Sequence, residues 1–403
     1  MMKNILLIMP YGSVGGMERL ALTFYNYYKS EGYNVKALKF IKLNNDIINF
    51  GDDELFIKPY DFADMSKQER LSFYLKAPTY IRKTIKKHKI THSIAFGDMA
   101  NLFSALTFTN EYKIGSIHAL KSVELTNKTF FNSLTRIGYT KFYGRLNKLV
   151  CISKAIKEDL ISKCDYKFSN LEVIYNPHNT QDIVDLSKVK IEDVEEQKIF
   201  SKKTVLFLGR LSVQKSPWHL IKAFKLVQAE LKDVNLVLIG DGDKSVIQYI
   251  KTQIKEFNLT ENVCFLGRKN NPYKYINASN VLVLSSHYEG TPNVIVESIA
   301  IGTPIVSSFC TKGIIELMST KEYKETQENI ILESGIVTPN LFKGVLGLPK
   351  DTTLTNEEVL LSKALIQVLE NDSFKLNLNE HKIELLTKFD LNFVANQYLK
   401  HLD

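Results

Sequence analysis

Val281-Leu282-Val283-Leu284-Ser285-Ser286-His287-Tyr288-Glu289-Gly290-Thr291-Pro292-Asn293-Val294-Ile295-Val296-Glu297-Ser298 carries the pattern on which the reading of the 403-residue chain turns. The run Val281–Leu284 is apolar throughout and predicts a strand buried on both faces, as parallel sheets require. Gly290 permits a tight turn, Thr291 can cap, and Pro292 suits the first position of a helix. Glu289 therefore stands on a turn before a helix, and Glu297 follows about two helical turns later, close to the same face. The helix start between them offers unpaired backbone N–H groups and the positive end of a macrodipole, a place for an anion. Two carboxylates beside it repel a bare phosphate, so hydroxyls are their natural partners, and phosphate with hydroxyls describes a sugar nucleotide. For either glutamate alone, a capped core helix with ordinary surface charges is the simpler reading.

The same design precedes this stretch. Strand Thr204–Leu208 leads into Gly209-Arg210-Leu211-Ser212-Val213-Gln214-Lys215-Ser216-Pro217, and an amphipathic helix follows with Leu220, Ile221, Phe224, Val227 and Leu231 on one face. Arg210 as a fork and Lys215 as a point charge suit a diphosphate at that turn. Asn235–Ile239 ends in Gly240-Asp241-Gly242-Asp243, read as turn chemistry in preference to a metal site. Asn262–Leu266 ends in Gly267-Arg268-Lys269, whose backbone can meet a nucleobase, and Ile305–Ser308 reads as a further strand. Residues 318–358 read as irregular and polar, and the tail from Asn379 regains a helical pattern through Ile383, Leu386, Phe389, Phe393 and Tyr398.

The first half repeats the alternation. Strands are expected at Lys3–Met9, Asn34–Phe40, His92–Phe96, Lys113–Ile117, Lys148–Ile152 and Leu171–Tyr175, with helical stretches between several of them. That alternation indicates a doubly wound parallel sheet. After the first strand, Gly12, Gly15 and Gly16 form a loop that a ligand could approach closely; its spacing is not the Gly-x-Gly-x-x-Gly of dinucleotide binding. His118 follows a strand, at the edge where open α/β sheets bind ligands, and could serve a sugar hydroxyl or a developing charge.

Bulk properties narrow the classes. The length suits two α/β domains, and 44% hydrophobic residues can fill two cores. No stretch approaches the apolar length of a spanning helix, and the run Ile5–Met9 is too short for a secretory core, so a cytoplasmic protein is expected. Cys151, Cys164, Cys264 and Cys310 match no metal or redox spacing. Residues 1–185 hold 26 Lys and Arg against 18 Asp and Glu, the whole of the net charge of +8. Such asymmetry suits a negatively charged partner, a membrane surface or phosphorylated acceptor, as well as plain solubility. Within it, Thr79–Lys89 sets Arg82, Lys83, Lys86, Lys87 and Lys89 beside Tyr80, Ile81 and Ile85, a helix that could rest on an anionic membrane or simply be solvated. No nucleic acid partner is expected.

Taken together these residues resemble glycosyltransferase family 4, retaining enzymes of the GT-B fold. The likeness runs through Gly12–Gly16 with Glu18-Arg19, Ile152-Ser153-Lys154, Asn176-Pro177, Gly209-Arg210 with Lys215, Gly240-Asp241-Gly242, Gly267-Arg268, and the Glu289/Glu297 pair. The resemblance implies two Rossmann-like doubly wound domains facing each other across a cleft: 1–182 for the acceptor and 204–378 for the nucleotide sugar, joined by a linker at 183–203, with 379–403 packing back towards the first. It implies that Arg210 and Lys215, after Gly209, hold the donor diphosphate, that Glu297 takes the ribose hydroxyls, and that Glu289 with Gly290, Thr291, Pro292, Asn293 and Val294 holds the sugar. Arg268 and Lys269 would lie at the base, Gly15 and Gly16 would line the site from the other domain, and His118 would approach the transferred sugar. No metal and no cofactor are expected, only a nucleotide-sugar donor, UDP-linked on family frequency, and either a glycan acceptor, lipid-linked on the basic first half and family habit and reached at the inner face of the membrane, or a small soluble acceptor. The readings of another class are a nicotinamide-dependent oxidoreductase and a non-catalytic sugar-nucleotide-binding protein. Ser216 departs from the glycine that the family places after the lysine.

Overall fold

Apolar strands decide both sheets of the computed structural model, which describes residues 3–12, 16–43, 46, 48–125 and 130–402. The chain forms two units, Met1–Pro177 with Lys388–Asp403, and His178–Thr387.

In the first unit β1 (Asn4–Met9), β2 (Asn34–Ile41), β3 (Glu54–Lys58), β4 (His92–Phe96), β5 (Tyr112–Ile117), β6 (Lys148–Cys151) and β7 (Leu171–Val173) pair in the order β3-β2-β1-β4-β5-β6-β7. All the pairings are parallel, with Ile5 level with both Val35 and His92. Side chains alternate across β1. Ile5, Leu7 and Met9 pack under helix Gly16–Ser30 with Phe24 and Tyr28, while Leu6 and Ile8 face Phe73 and Ile81 of helix Lys67–Lys87. A strand buried on both faces cannot alternate polar with apolar, which is why β1 reads as one apolar run.

The second unit repeats the scheme. Strands β8 (Lys203–Leu208), β9 (Val234–Ile239), β10 (Val263–Gly267), β11 (Val281–Leu284), β12 (Ile305–Ser308), β13 (Ile330–Leu332) and β14 (Gly335–Thr338) pair in the order β10-β9-β8-β11-β12-β14-β13. Only β13 with β14 is antiparallel, a hairpin formed within the stretch expected to be irregular. Strand order reverses between β1 and β4 in one sheet and between β8 and β11 in the other. Open α/β sheets bind ligands outside the carboxyl ends of the strands at such a reversal.

Two expectations about connections change. The stretch expected as the linker, 183–203, is largely helical: helices Thr180–Ser187 and Val194–Phe200 occupy most of it, capped by Asn179 and by Asp193, whose Oδ1 accepts from Glu195 and Glu196 N–H. Their polar composition reflects caps and a solvated helix face. The tail is not one helix either. Ser373–Thr387 belongs to the second unit, and the chain then crosses so that Leu391–Leu399 packs in the first. Of the residues that carried the helical pattern, Ile383 and Phe393 are 83% and 48% exposed.

A buried lysine holds that last helix. Lys148 donates to the carbonyls of Gln397 and Lys400, each at 2.7 Å, and pairs with Glu172 at 2.9 Å. A helix leaves its final carbonyls without intrahelical donors, and an ammonium there also meets the negative end of the dipole. Tyr28 donates to Ala395 O at 2.9 Å, and Phe24 meets Tyr398 edge-on at 4.7 Å.

Candidate functional site

The loops leaving β8 and β11 are bound to each other at the strand-order reversal. The Ser216 hydroxyl donates to Ser285 O at 2.6 Å, and the Ser285 hydroxyl donates back to Lys215 O at 3.0 Å. His287 N donates to Gln214 O at 2.8 Å, and the Gln214 amide donates to Tyr288 O at 3.1 Å. Ser216 sits at φ 38°, ψ 57°, the left-handed region that favours glycine. It is fully buried, so its hydroxyl offsets the strain with a bond that glycine could not make.

This lacing brings together two residues 74 positions apart. Lys215 Nζ lies 2.6 Å from Glu289 Oε1, and the Ser286 hydroxyl donates to the same oxygen at 2.7 Å. Glu289 is buried while the Lys215 side chain keeps 21% of its surface exposed. The pair therefore joins a carboxylate held in the protein to an ammonium that solvent or a ligand can reach. Helix Asn293–Ile301 begins one residue later than expected, with Pro292 at the N-cap and no side chain capping it. Its first-turn N–H groups are directed out of the helix start. Val294 and Glu297 are half-buried on that helix, and Gly290 and Thr291 lie on the turn before it.

Arg210 is 71% exposed and reaches Asp243 Oδ1 at 3.3 Å. The Gly240–Gly242 turn lies directly against the loop after β8: Leu211 N donates to Asp241 O at 2.8 Å and Asp243 N to Leu211 O at 2.9 Å. A Cβ on Gly240 would come 2.0 Å from Gly209 O, and one on Gly242 2.1 Å from Leu211 O. Those glycines are demanded by backbone contact. No group of three or more potential metal ligands occurs among the described residues.

Lys269 has its side chain committed elsewhere. Its ammonium lies 2.5 Å from Glu196 Oε1, whose other oxygen accepts from Tyr275 at 2.7 Å, so it ties helix Val194–Phe200 to the sheet. The backbone of that loop and the exposed Arg268 remain for a base.

In the first unit, Gly15 lies outside the described residues and Gly16 opens the helix after β1. His118 follows β5. Ser116 gives its proton to Ala95 O at 3.0 Å, so the 2.8 Å contact between Ser116 Oγ and His118 Nε2 is a bond donated by the imidazole. Nδ1 is then the acceptor. Dense surroundings, with Lys121 nearby, push the imidazole down to about 3, which keeps it neutral even though the ring retains some exposed surface. The Thr79–Lys89 reading changes in one respect: Ile81 and Ile85 are buried in the core under the sheet, and Tyr80 donates to Phe56 O at 3.1 Å. Lys83, Lys86, Lys87 and Lys89 stay exposed.

Ser286 and Gln214 were not foreseen. The spacing Ser286-x-x-Glu289, which in other settings marks a helix cap, was the available signal for the first; Gln214 carried none.

Two parallel-dominated, doubly wound sheets of seven strands match the GT-B fold of solved glycosyltransferase structures. The chain belongs to glycosyltransferase family 4: the sequence model described as Glycosyltransferase Family 4 matches residues 14–182, and that for Glycosyl transferases group 1 matches residues 189–330. Among curated proteins it is 26% identical to an uncharacterized glycosyltransferase of Haemophilus influenzae, over 78% of this chain and 83% of that one. It is 27% identical to the N-acetylgalactosamine-N,N'-diacetylbacillosaminyl-diphospho-undecaprenol 4-alpha-N-acetylgalactosaminyltransferase of Campylobacter jejuni, over 80% and 85%. Among solved structures, Anabaena HepE in complex with UDP superposes with a TM-score of 0.71 at 18% identity, covering 98% of each chain. No helix among the described residues is long and apolar enough to cross a membrane.

Proposed function

We propose that this glycosyltransferase moves a hexose or N-acetylhexosamine from a UDP-sugar to a lipid-linked glycan acceptor, with retention of configuration, in surface-polysaccharide synthesis. The observation that carries the reading is the Lys215–Glu289 pair at the carboxyl edge of the second sheet. Support for the acceptor comes from the Campylobacter relative, whose name specifies a diphospho-undecaprenol substrate, and support for the base from the UDP bound to HepE.

The pair gives the chemistry a starting state. An incoming diphosphate competes for the Lys215 ammonium, and Arg210 swings from Asp243 to join it. Glu289, still held by Ser286, is released to accept from the sugar hydroxyls, while Glu297 takes the ribose. As the anomeric C–O bond breaks, the sugar gains oxocarbenium character and the leaving diphosphate gains negative charge. Lys215, Arg210 and the start of helix Asn293–Ile301 stabilise that charge without a metal. The acceptor hydroxyl attacks from the same face, and the departing phosphate oxygen takes its proton. His118, neutral with Nδ1 as acceptor, can receive a hydrogen bond from a sugar hydroxyl. The exposed lysines at 83, 86, 87 and 89 attract an anionic leaflet.

The test is thermal-shift measurement with UDP, GDP, ADP and NAD on the wild type and on Lys215→Ala, since ligand at a hundred times its Kd stabilises the folded state by about 2.7 kcal/mol. UDP should raise the Tm of the wild type alone. A shift with NAD only would overturn the reading. Transfer to a polyprenyl-diphosphate glycan that survives EDTA supports the metal-free mechanism, and strong loss with EDTA refutes it.

A further inference from the structure

Behind the Lys215–Glu289 loops runs a buried polar chain that the mechanism above does not use. Glu358 is fully buried on helix Asn356–Glu370 and closes a capping box with Thr355, whose N–H donates to Oε2 at 2.9 Å. Its Oε1 lies 2.6 Å from His219 Nδ1 and 3.2 Å from Lys222 Nζ, both on helix Pro217–Glu230. His219 Nε2 then lies 2.9 Å from Nε2 of His287, which stands two residues before Glu289 on the loop after β11. His287 is 4% exposed, packed between the rings of Trp218 and Phe342, and its Nδ1 is buried with no hydrogen-bond partner among the described residues.

The order of these atoms dictates their protons. A carboxylate accepts only, so His219 Nδ1 carries a hydrogen, and Nε2 of a neutral ring is then an acceptor. His287 Nε2 must donate to it, which leaves His287 Nδ1 as a bare lone pair. One hydrogen is shared between the two Nε2 atoms in any bonded state. An additional proton on the pair therefore has to end on His287 Nδ1, where it would be a buried N–H without an acceptor, a costly arrangement. Every N–H of the chain is paired only while both imidazoles are neutral.

We propose that Glu358, His219 and His287 are positioning residues: the hydrogen-bonded chain they form fixes the Glu289-bearing loop in its donor-binding geometry as long as both rings are neutral. The proposal rests on the donor-site reading above. Its electrostatic surroundings are Glu358 and Lys222 on the two helices, the Lys215–Glu289 pair on the adjoining loops, Tyr249 on helix Lys244–Glu256, and Asp351 before helix Asn356–Glu370, which with Glu358 bears on Tyr249. Burial, then the neighbouring His219, pushes the His287 imidazole down to about 4, so His287 is neutral near pH 7.

The sole tryptophan of the chain, Trp218, lies 5.7 Å from the His219 ring and 5.6 Å from that of His287. A protonated imidazole quenches indole emission, so its fluorescence reads the charge of the pair directly. The test uses the full chain, UDP as probe in calorimetric titration near neutral pH, and the variants His287→Leu and His287→Gln. Leucine removes the donor, whereas the glutamine amide places an N–H at a similar reach. His287→Leu should weaken UDP binding by about tenfold or more with the circular dichroism unchanged, and His287→Gln should restore it to within about threefold, a lost and regained buried hydrogen bond. Trp218 emission of the wild type should stay flat down to about pH 6 and fall only below the ordinary histidine range. Equal UDP affinity in His287→Leu and wild type, failure of His287→Gln to rescue, or a quenching midpoint at or above the ordinary histidine value would each overturn the proposal. A wild type that binds no nucleoside diphosphate would instead sink the donor-site reading. In that case imidazole 15N spectra judge the chain: protons at His219 Nδ1 and His287 Nε2 uphold it, and any other tautomers refute it.

Discussion

Ser216 offers a prediction in which two opposing terms can be separated. Its backbone lies at φ 38°, a conformation that costs a non-glycine residue about 1–2 kcal/mol. Its hydroxyl recovers about 1 kcal/mol through the bond to Ser285 O, both groups being buried. Ser216→Ala keeps the strain, loses the bond and leaves a buried carbonyl short of a donor, so unit His178–Thr387 should lose about 2 kcal/mol. Ser216→Gly loses the same bond but relieves the strain, and the cost should fall to about 1 kcal/mol or less. Glycine should therefore exceed alanine by about 1 kcal/mol at this position, against the usual order of the two residues in helices. Urea unfolding followed by Trp218 emission is the assay, because that indole is buried two residues away and reports its own unit. Equal stabilities, or alanine above glycine, would refute the claim that the serine hydroxyl compensates a left-handed backbone. The same variants should loosen Lys215, whose carbonyl accepts from Ser285, and so raise KM for the donor more than they lower kcat.

Lys215→Ala and Glu289→Ala should each lower turnover by about a hundredfold or more, yet differ in stability. Removing the lysine strands a buried carboxylate with only Ser286 and should cost about 2–3 kcal/mol, whereas removing the glutamate frees an ammonium that reaches water and should cost under about 1 kcal/mol; denaturation midpoints check the order. Acid should unfold both units. Burial pushes His92 in the first unit and His287 in the second down to about 4. Between the unfolded value near 6.5 and the folded one, the unfolded chain binds the extra proton. Stability is then full above about pH 6.5 and falls as pH drops towards 4, by about 3 kcal/mol for each such histidine; a flat urea midpoint across that window would contradict it. Lys148→Met should leave the carbonyls of Gln397 and Lys400 without donors and cost the first unit about 2–3 kcal/mol, read as faster amide exchange in helix Leu391–Leu399.

Parts of this molecule were legible because parallel sheets write their logic locally. Each buried strand ends in a turn whose glycine, serine or proline is set by the immediate backbone, so Gly209-Arg210 and Glu289-Gly290 announced themselves within a few residues. What the sequence could not display was pairing across distance. Lys215 and Glu289 each looked like a ligand group, but their salt bridge depends on β8 and β11 being neighbours, a fact of strand order. The polar composition of residues 183–203 could not distinguish a tether from two capped helices, because a solvated helix face and a linker draw on the same residues. The tail showed helical spacing, but spacing alone cannot say which unit a helix joins; Lys148, some 250 positions earlier, decides that by meeting the last carbonyls. His219, His287 and Glu358 lay furthest from view, on three elements with no shared spacing. A ligand site assembled at one sheet edge leaves a trace in turn sequences, while the buried chain that steadies it leaves none, because its members need only meet side chain to side chain. The residues behind a catalytic loop are therefore found from the fold, and at this site they are the ones whose protonation the loop is expected to follow.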